Sequence, residues 1–370
     1  MLNSLKHLNA WKHMHLKQID GKMKSYRSLL KSLSTIEDPI DFVVTWVDGN
    51  DPVWQHEKAK YTPYYKKGNT QARYREWNQF MYWFRSVEKY APWVRKVFLV
   101  TWGHIPPYLN TTNERLVIVN HKDFIPEAYL PTFSSNPIEL NLHRIPGLSE
   151  HFVYFNDDVY LSSPVSSGDF FQNGLPKYCS IAYPLRNYRY NGSFVHQKLS
   201  VIGLINGSFD VYSIIDRHPE LWFSHVYGKD VIYNQRAYKD SYLQGMFFSH
   251  VACPFRKSTF EKVWEFFSEE LQETCTHRFR TPMDVFHQIF TLWEIMEGTF
   301  VPVGPRHYGQ AFGSLSTQIP EIQRAFASKT YKMVCVNDSI DVNDDNYERI
   351  KAELDCILQA TFPEKSSFER

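Results

Sequence analysis

Two adjacent carboxylates, Asp157 and Asp158, follow the apolar run at the start of FVYFNDDVYL (Phe152–Leu161). An alternating apolar segment of this length reads as a buried strand, so the acids sit where the strand leaves the core. That is where α/β folds place their chemistry. Paired carboxylates can hold a hard cation through oxygen ligands, and the cation can neutralise a diphosphate. The same residues, with Asn156 ahead of them, can also form a plain turn.

Other side chains with chemical capacity are spread along the chain. TWVDGND (Thr45–Asp51) follows the first apolar run, and its single glycine forms no GxGxxG or GxxxxGK loop, so any nucleotide contact there rests on position. Trp46 and Asp48 are the residues suited to a nucleoside, with a structural turn as the alternative. ARYREWNQ places Arg73 and Arg75 ahead of a helix, and HRFRTPMD does the same with Arg278 and Arg280. Cations at a helix N-terminus oppose the dipole unless an anion is shared between them. His250 lies in FFSHVACPFRKS, where an apolar run turns into a loop containing Arg256 and Lys257. GxSxG, HExxH and CxxC are all missing, which removes support for serine hydrolase, zinc protease and zinc-finger readings.

The elements that must position these groups follow from periodicity. IDFVVTW (Ile40–Trp46), KVFLVT (Lys96–Thr101) and RLVIVN (Arg115–Asn120) read as strands. Trp77, Phe80, Met81, Phe84, Val87 and Tyr90 mark an amphipathic helix that stops before Pro92. A strand, a helix and a second strand imply a right-handed parallel crossover and an α/β, Rossmann-like sheet. SNPIELNLHRI (Ser135–Ile145) reads as a short helix that delivers His143 and Arg144 just upstream of the acid pair. Further helices are expected at 210–216, 228–239, 259–273, 282–297 and 346–360.

With 370 residues, 43% hydrophobic, 22% charged and a formal charge of +1, the chain is an ordinary globular protein with no call for a nucleic-acid partner. Aromatic residues make up 16% and supply faces on which sugars and bases can stack. Five widely spaced cysteines read as reduced thiols of a cytoplasmic protein, and no apolar run approaches the length of a membrane span. Residues 1–36 stand apart, with leucines at helical spacing and seven Lys and Arg against Asp20. Such a basic amphipathic segment suits peripheral contact with the inner face of the cell membrane, or packing on the body or another subunit. The expected division is 1–36, a catalytic domain over 40–310, and a helical extension over 311–370.

IDFVVTWVDGNDP, RYREWNQFMYWFRSVEKYAPWVRKVFLVTWGHIPPYL, LPTFSSNPIELNLHRIPGLSEHFVYFNDDVYL and YKMVCVNDS with FPEKSSFE resemble, in order, the Stealth family. That family includes bacterial capsular polysaccharide phosphotransferases and the catalytic subunit of the lysosomal N-acetylglucosamine-1-phosphotransferase. The resemblance implies a Rossmann-like core similar to GT-A nucleotide-sugar glycosyltransferases. It also implies transfer of a hexose-1-phosphate from a UDP-sugar to a saccharide hydroxyl, with UMP leaving. Carried over, Thr45, Trp46, Val47, Asp48, Gly49, Asn50, Arg75, Asn78 and Asn156 would line the donor site. Asp157 and Asp158 would hold Mg²⁺ or Mn²⁺ at the diphosphate, and His250, Arg280 and Arg144 would join them in catalysis. His143 and Arg256 would meet the acceptor. An ordinary glycosyltransferase releasing UDP and a non-catalytic sugar-binding scaffold are the rival readings.

Overall fold

The computed structural model describes residues 38–62, 73–185, 193–338 and 341–370, so the basic segment 1–36 lies outside the described residues. Eleven strands are described. They are β1 (Ile40–Thr45), β2 (Val97–Thr101), β3 (Leu116–Asn120), β4 (His151–Asn156), β5 (Val159–Leu161), β6 (Phe171–Gln172), β7 (Leu175–Tyr178), β8 (Cys253–Arg256), β9 (Val301–Pro302), β10 (Gly309–Phe312) and β11 (Met333–Val336). The central sheet has the order β3-β2-β1-β4-β8. Its first four strands are parallel and β8 is antiparallel to β4, with Tyr154 opposite Cys253 and His151 opposite Arg256. Phe42, Val43 and Val44 are all fully buried, as a strand covered on both faces requires. The expected mixed α/β architecture with a parallel core is present.

One face is covered by the helix Phe80–Tyr90, which buries Phe80, Trp83, Phe84 and Val87 as a single stripe. Trp83 meets Phe155 of β4 edge-on, with ring centroids 5.5 Å apart. The helices Leu315–Ser328 and Tyr347–Thr361 close the same core. The other face carries the helix Gln288–Glu297 and the helices between Ser193 and Asp240. Among the described residues no single helix is long and apolar enough to cross a membrane. One bent pair, Phe194–Ser208 with Val211–Arg217, has the length and composition. All five cysteines are free.

Several expected boundaries shift for local reasons. The helix over 282–297 begins at Gln288, because Asp284 is spent as a buried hub accepting from Thr281 N–H, the Thr281 hydroxyl and His277. The helix over 259–273 runs from Lys257 and breaks at Phe267 before resuming at Ser268. The expected boundary after residue 310 falls inside β10. β11, from the supposed extension, pairs antiparallel with β5, placing Cys335 opposite Val159. The run Phe152–Leu161 is therefore two strands in two sheets, and the acid pair is the turn between them.

Candidate active site

Parallel strands present their carboxyl ends along one edge, and here that edge gathers Thr45, Trp46 and Asp48 after β1, His104 after β2, and Asn156 to Asp158 after β4. Asp48 N–H donates to His104 Nε2 at 2.9 Å, so that nitrogen is bare and Nδ1–H donates to Asp51 Oδ2 at 3.1 Å. Asp51 in turn caps the helix Pro52–Tyr61 by accepting from Val53 and Trp54 N–H. Gly49 is required by close approach, since a Cβ there would lie 1.6 Å from the Tyr74 carbonyl oxygen. Trp46 stacks on Phe80 at 5.7 Å and donates to Glu76 Oε2 at 3.1 Å, holding that carboxyl at the edge.

The acids are electrostatically unusual. Burial, then the Asp158 charge, then Glu76 push the Asp157 carboxyl well above its ordinary value, and the N–H groups of Asp157 and Asp158 offset this only in part. Glu76 is itself pushed up by burial, with Asp48 adding to the effect. Asp158 Oδ2 faces His250 Nε2 at 3.8 Å, while Oδ1 is buried with no hydrogen-bond partner. The Cys335 thiol hydrogen-bonds the Asp158 carboxylate and is pushed far up by burial, by the Asp158 charge and by that bond. Clustered negative charge with a buried carboxylate oxygen is compatible with a hard divalent cation, to which Asp157 and Asp158 could offer oxygen ligands. Cys335 is no ligand for such an ion.

A second, positively charged group stands across Tyr154. The Tyr154 hydroxyl lies 3.0 Å from Thr45 Oγ1, 2.9 Å from Asn156 Oδ1 and 3.3 Å from Glu139 Oε1. Burial would raise the Glu139 carboxyl. His287, whose Nδ1 donates to Glu139 Oε2 at 2.6 Å, outweighs it and with Arg280 and Ser135 holds Glu139 down to about 2. His287 is correspondingly kept protonated against its own burial. Arg280 donates to Ser135 Oγ at 2.5 Å. Arg73 is pushed down to about 10 by burial and by the Arg280 guanidinium, so two cations face one region. Like charges held together in this way suit a polyanion.

The other expected site residues are distributed differently. Val47 is half-buried in the turn, and Asn50 is exposed with its N–H donating to Asp48 Oδ1. Asn78 adopts a positive φ of 56° and donates its N–H to Glu76 Oε1 at 2.6 Å. Arg75 points away to an ion pair with Asp338 at 3.2 Å and a bond to the Val342 carbonyl. Arg256 is corrected outright: it lies opposite His151, about 17 Å along β4 from Asn156 at ~3.3 Å per residue. There it is consumed by buried Glu294 at 2.8 Å and by Thr299. His143 is a core residue packed on Phe260 and Trp264 and pushed down to about 3 by burial, then by Arg144 and Lys257. Arg144 is exposed, stacks on Trp264 at 5.0 Å and donates to Asn141, so it does not stand behind the acids. The sequence reading passed over His104, Glu76, Glu139, His287, Tyr154 and Cys335, which come from positions far apart in the chain.

A depression open to solvent adjoins His250 through Ser249 and runs past Cys253 to Lys177, His307 and Tyr308.

Comparison with known proteins places these groups in shared blocks. Residues 38–66, 73–178, 249–288 and 325–370 match Stealth protein conserved regions 1, 2, 3 and 4 respectively. The chain is 41% identical over 337 residues to the receptor polysaccharide phosphotransferase WefC of Streptococcus gordonii, covering 90% of this chain and 99% of that protein. It is 40% identical to a capsular polysaccharide phosphotransferase WcwK of Streptococcus pneumoniae, covering 89% and 99%. It is 36% identical to the exopolysaccharide phosphotransferase cps2G of Lactiplantibacillus plantarum, covering 90% and 96%. Among solved structures, the galactosyltransferase LgtC aligns at a TM-score of 0.35 and 9% identity, over 84% of this chain and 95% of that one.

Proposed function

Because the chain belongs to the Stealth family, we propose that it transfers a hexose-1-phosphate from a UDP-sugar to a hydroxyl of a saccharide acceptor in cell-surface or capsular polysaccharide synthesis. The observation that carries this reading is the mutually repelling Asp157 and Asp158 pair at the carboxyl edge, with His250 facing Asp158. The donor diphosphate would lie between the acids and the Arg73 and Arg280 guanidiniums. A Mg²⁺ or Mn²⁺ ion on Asp157 and Asp158 would neutralise the diphosphate charge.

Phosphoryl transfer asks the protein mainly to position the nucleophile and stabilise charge on the equatorial oxygens. The acceptor hydroxyl attacks the sugar-bound phosphorus in line and UMP departs. His250, exposed and reachable, takes the hydroxyl proton, and Asp158 Oδ2 stabilises the imidazolium that forms. Arg280, anchored by Ser135, meets the charge that develops on phosphorus, with Arg73 beside it. The acceptor enters by the pocket that begins at Ser249, next to His250. Residues 1–36 supply peripheral contact with the inner membrane face or with another subunit.

Incubation with UDP-hexoses, a saccharide acceptor and Mg²⁺, followed by ³¹P NMR, tests the reading. UMP and a new phosphodiester resonance are expected. Release of UDP without that resonance identifies a glycosyltransferase and overturns it.

A further inference from the structure

A buried thiol is out of place beside carboxylates suited to a hard ion. Cys335 is held in mid-strand on β11 by its register with Val159, so it cannot turn away from the acid turn without breaking the sheet. The ligand atoms of Asp158, His250 and Cys335 all lie within 4.8 Å of one another. Among the described residues Asp158 Oδ1 is buried with no nitrogen or oxygen partner, and the side chain that bonds this carboxylate is the Cys335 thiol itself. His250 is loop-borne and 42% exposed, free to close the last distance.

We propose that Asp158, His250 and Cys335 form a three-ligand site for a borderline or soft divalent cation, Zn²⁺ above all, which competes with the oxygen-ligated ion and inhibits the enzyme. One oxygen, one nitrogen and one sulfur ligand with a fourth position open to water is a donor set that Zn²⁺ accepts and Mg²⁺ does not. On binding, the Cys335 S–H proton passes to solvent, a Zn–S bond forms, and bound waters leave the ion. The ion then occupies the His250 nitrogen needed for the acceptor proton and withdraws Asp158 from its partner. Magnesium leaves the thiol protonated and His250 unbound. Inhibition by thiophilic metals is thus built into the strand pairing that delivers Cys335.

The test reads metal binding directly, so it is independent of the transferase reading. Titrating the full-length protein with Co²⁺ should produce a thiolate-to-cobalt charge-transfer band in the near ultraviolet, which Zn²⁺ then displaces. Cys335→Ser should abolish the band and weaken Zn²⁺ about 10- to 100-fold by calorimetry, with circular dichroism checking that the fold persists. His250→Ala, an exposed position that leaves the core alone, should weaken Zn²⁺ similarly. A Co²⁺ spectrum without the thiolate band, or equal Zn²⁺ affinity in wild type and both variants, overturns the proposal.

Discussion

The two ends of the central sheet treat buried charge in opposite ways. At the amino end of β1, Asp41 is fully buried, and its carboxylate is paired with both Nε and Nη2 of Arg95 and accepts from Ser149 N–H at 2.8 Å. At the same end of the sheet Arg256 is matched by Glu294 and Thr299. At the carboxyl end, Asp157 and Asp158 push against each other and against Glu76, and Asp158 Oδ1 has no partner. Satisfied charge fixes the fold, whereas unsatisfied charge costs stability and persists where a ligand completes it. The mixed group across Tyr154 is intermediate: Glu139 and His287 neutralise each other, and the Arg280 and Arg73 guanidiniums repel one another beside them.

Substitutions at the two ends should therefore separate activity from stability. The largest effect is expected for His250→Ala, which should lower kcat by about 10²- to 10⁴-fold in a UMP-release assay while leaving Tm close to wild type. Turnover within a few fold of wild type would remove His250 as the base. At the opposite end, Asp41→Asn should cost about 2 kcal/mol in urea unfolding, since Arg95 and Ser149 N–H lose a charged acceptor. Its kcat/KM should be unchanged, and a selective loss of activity would blur the division. The smallest effect concerns pH. Glu139, held at about 2 against an ordinary 4.5, contributes stability that is complete above the ordinary value and lost as pH falls through the lower one. The Tm gap between wild type and Glu139→Gln should accordingly narrow as pH drops from about 4.5 towards 2.

The central strands were legible because parallel, doubly covered strands are continuous apolar runs, and the acid pair was legible because it follows one. His104 obeys the same carboxyl-edge rule after β2 and could have been found by it. Glu139 and His287, or Asp158 and Cys335, meet only through tertiary packing, and no local pattern links positions so far apart. Arg73 and Arg75 differ by two places, yet one faces Arg280 and the other is taken by Asp338. Arg256 and His143 carried suitable chemistry in adjacent sequence blocks, but strand direction sends both to the wrong end. β8 runs antiparallel to β4, so the His250 end of its segment approaches the acids while Arg256 recedes from them.

The most direct measurement is Tm and UMP release for metal-free and Mg²⁺-supplied Asp157→Asn. If repulsion at the carboxyl edge is retained for chemistry, removing one charge should raise the metal-free Tm, while turnover with Mg²⁺ falls by about 10²- to 10³-fold. A variant less stable than wild type, with turnover within a few fold of it, would place Asp157 among the structural charges and contradict the account.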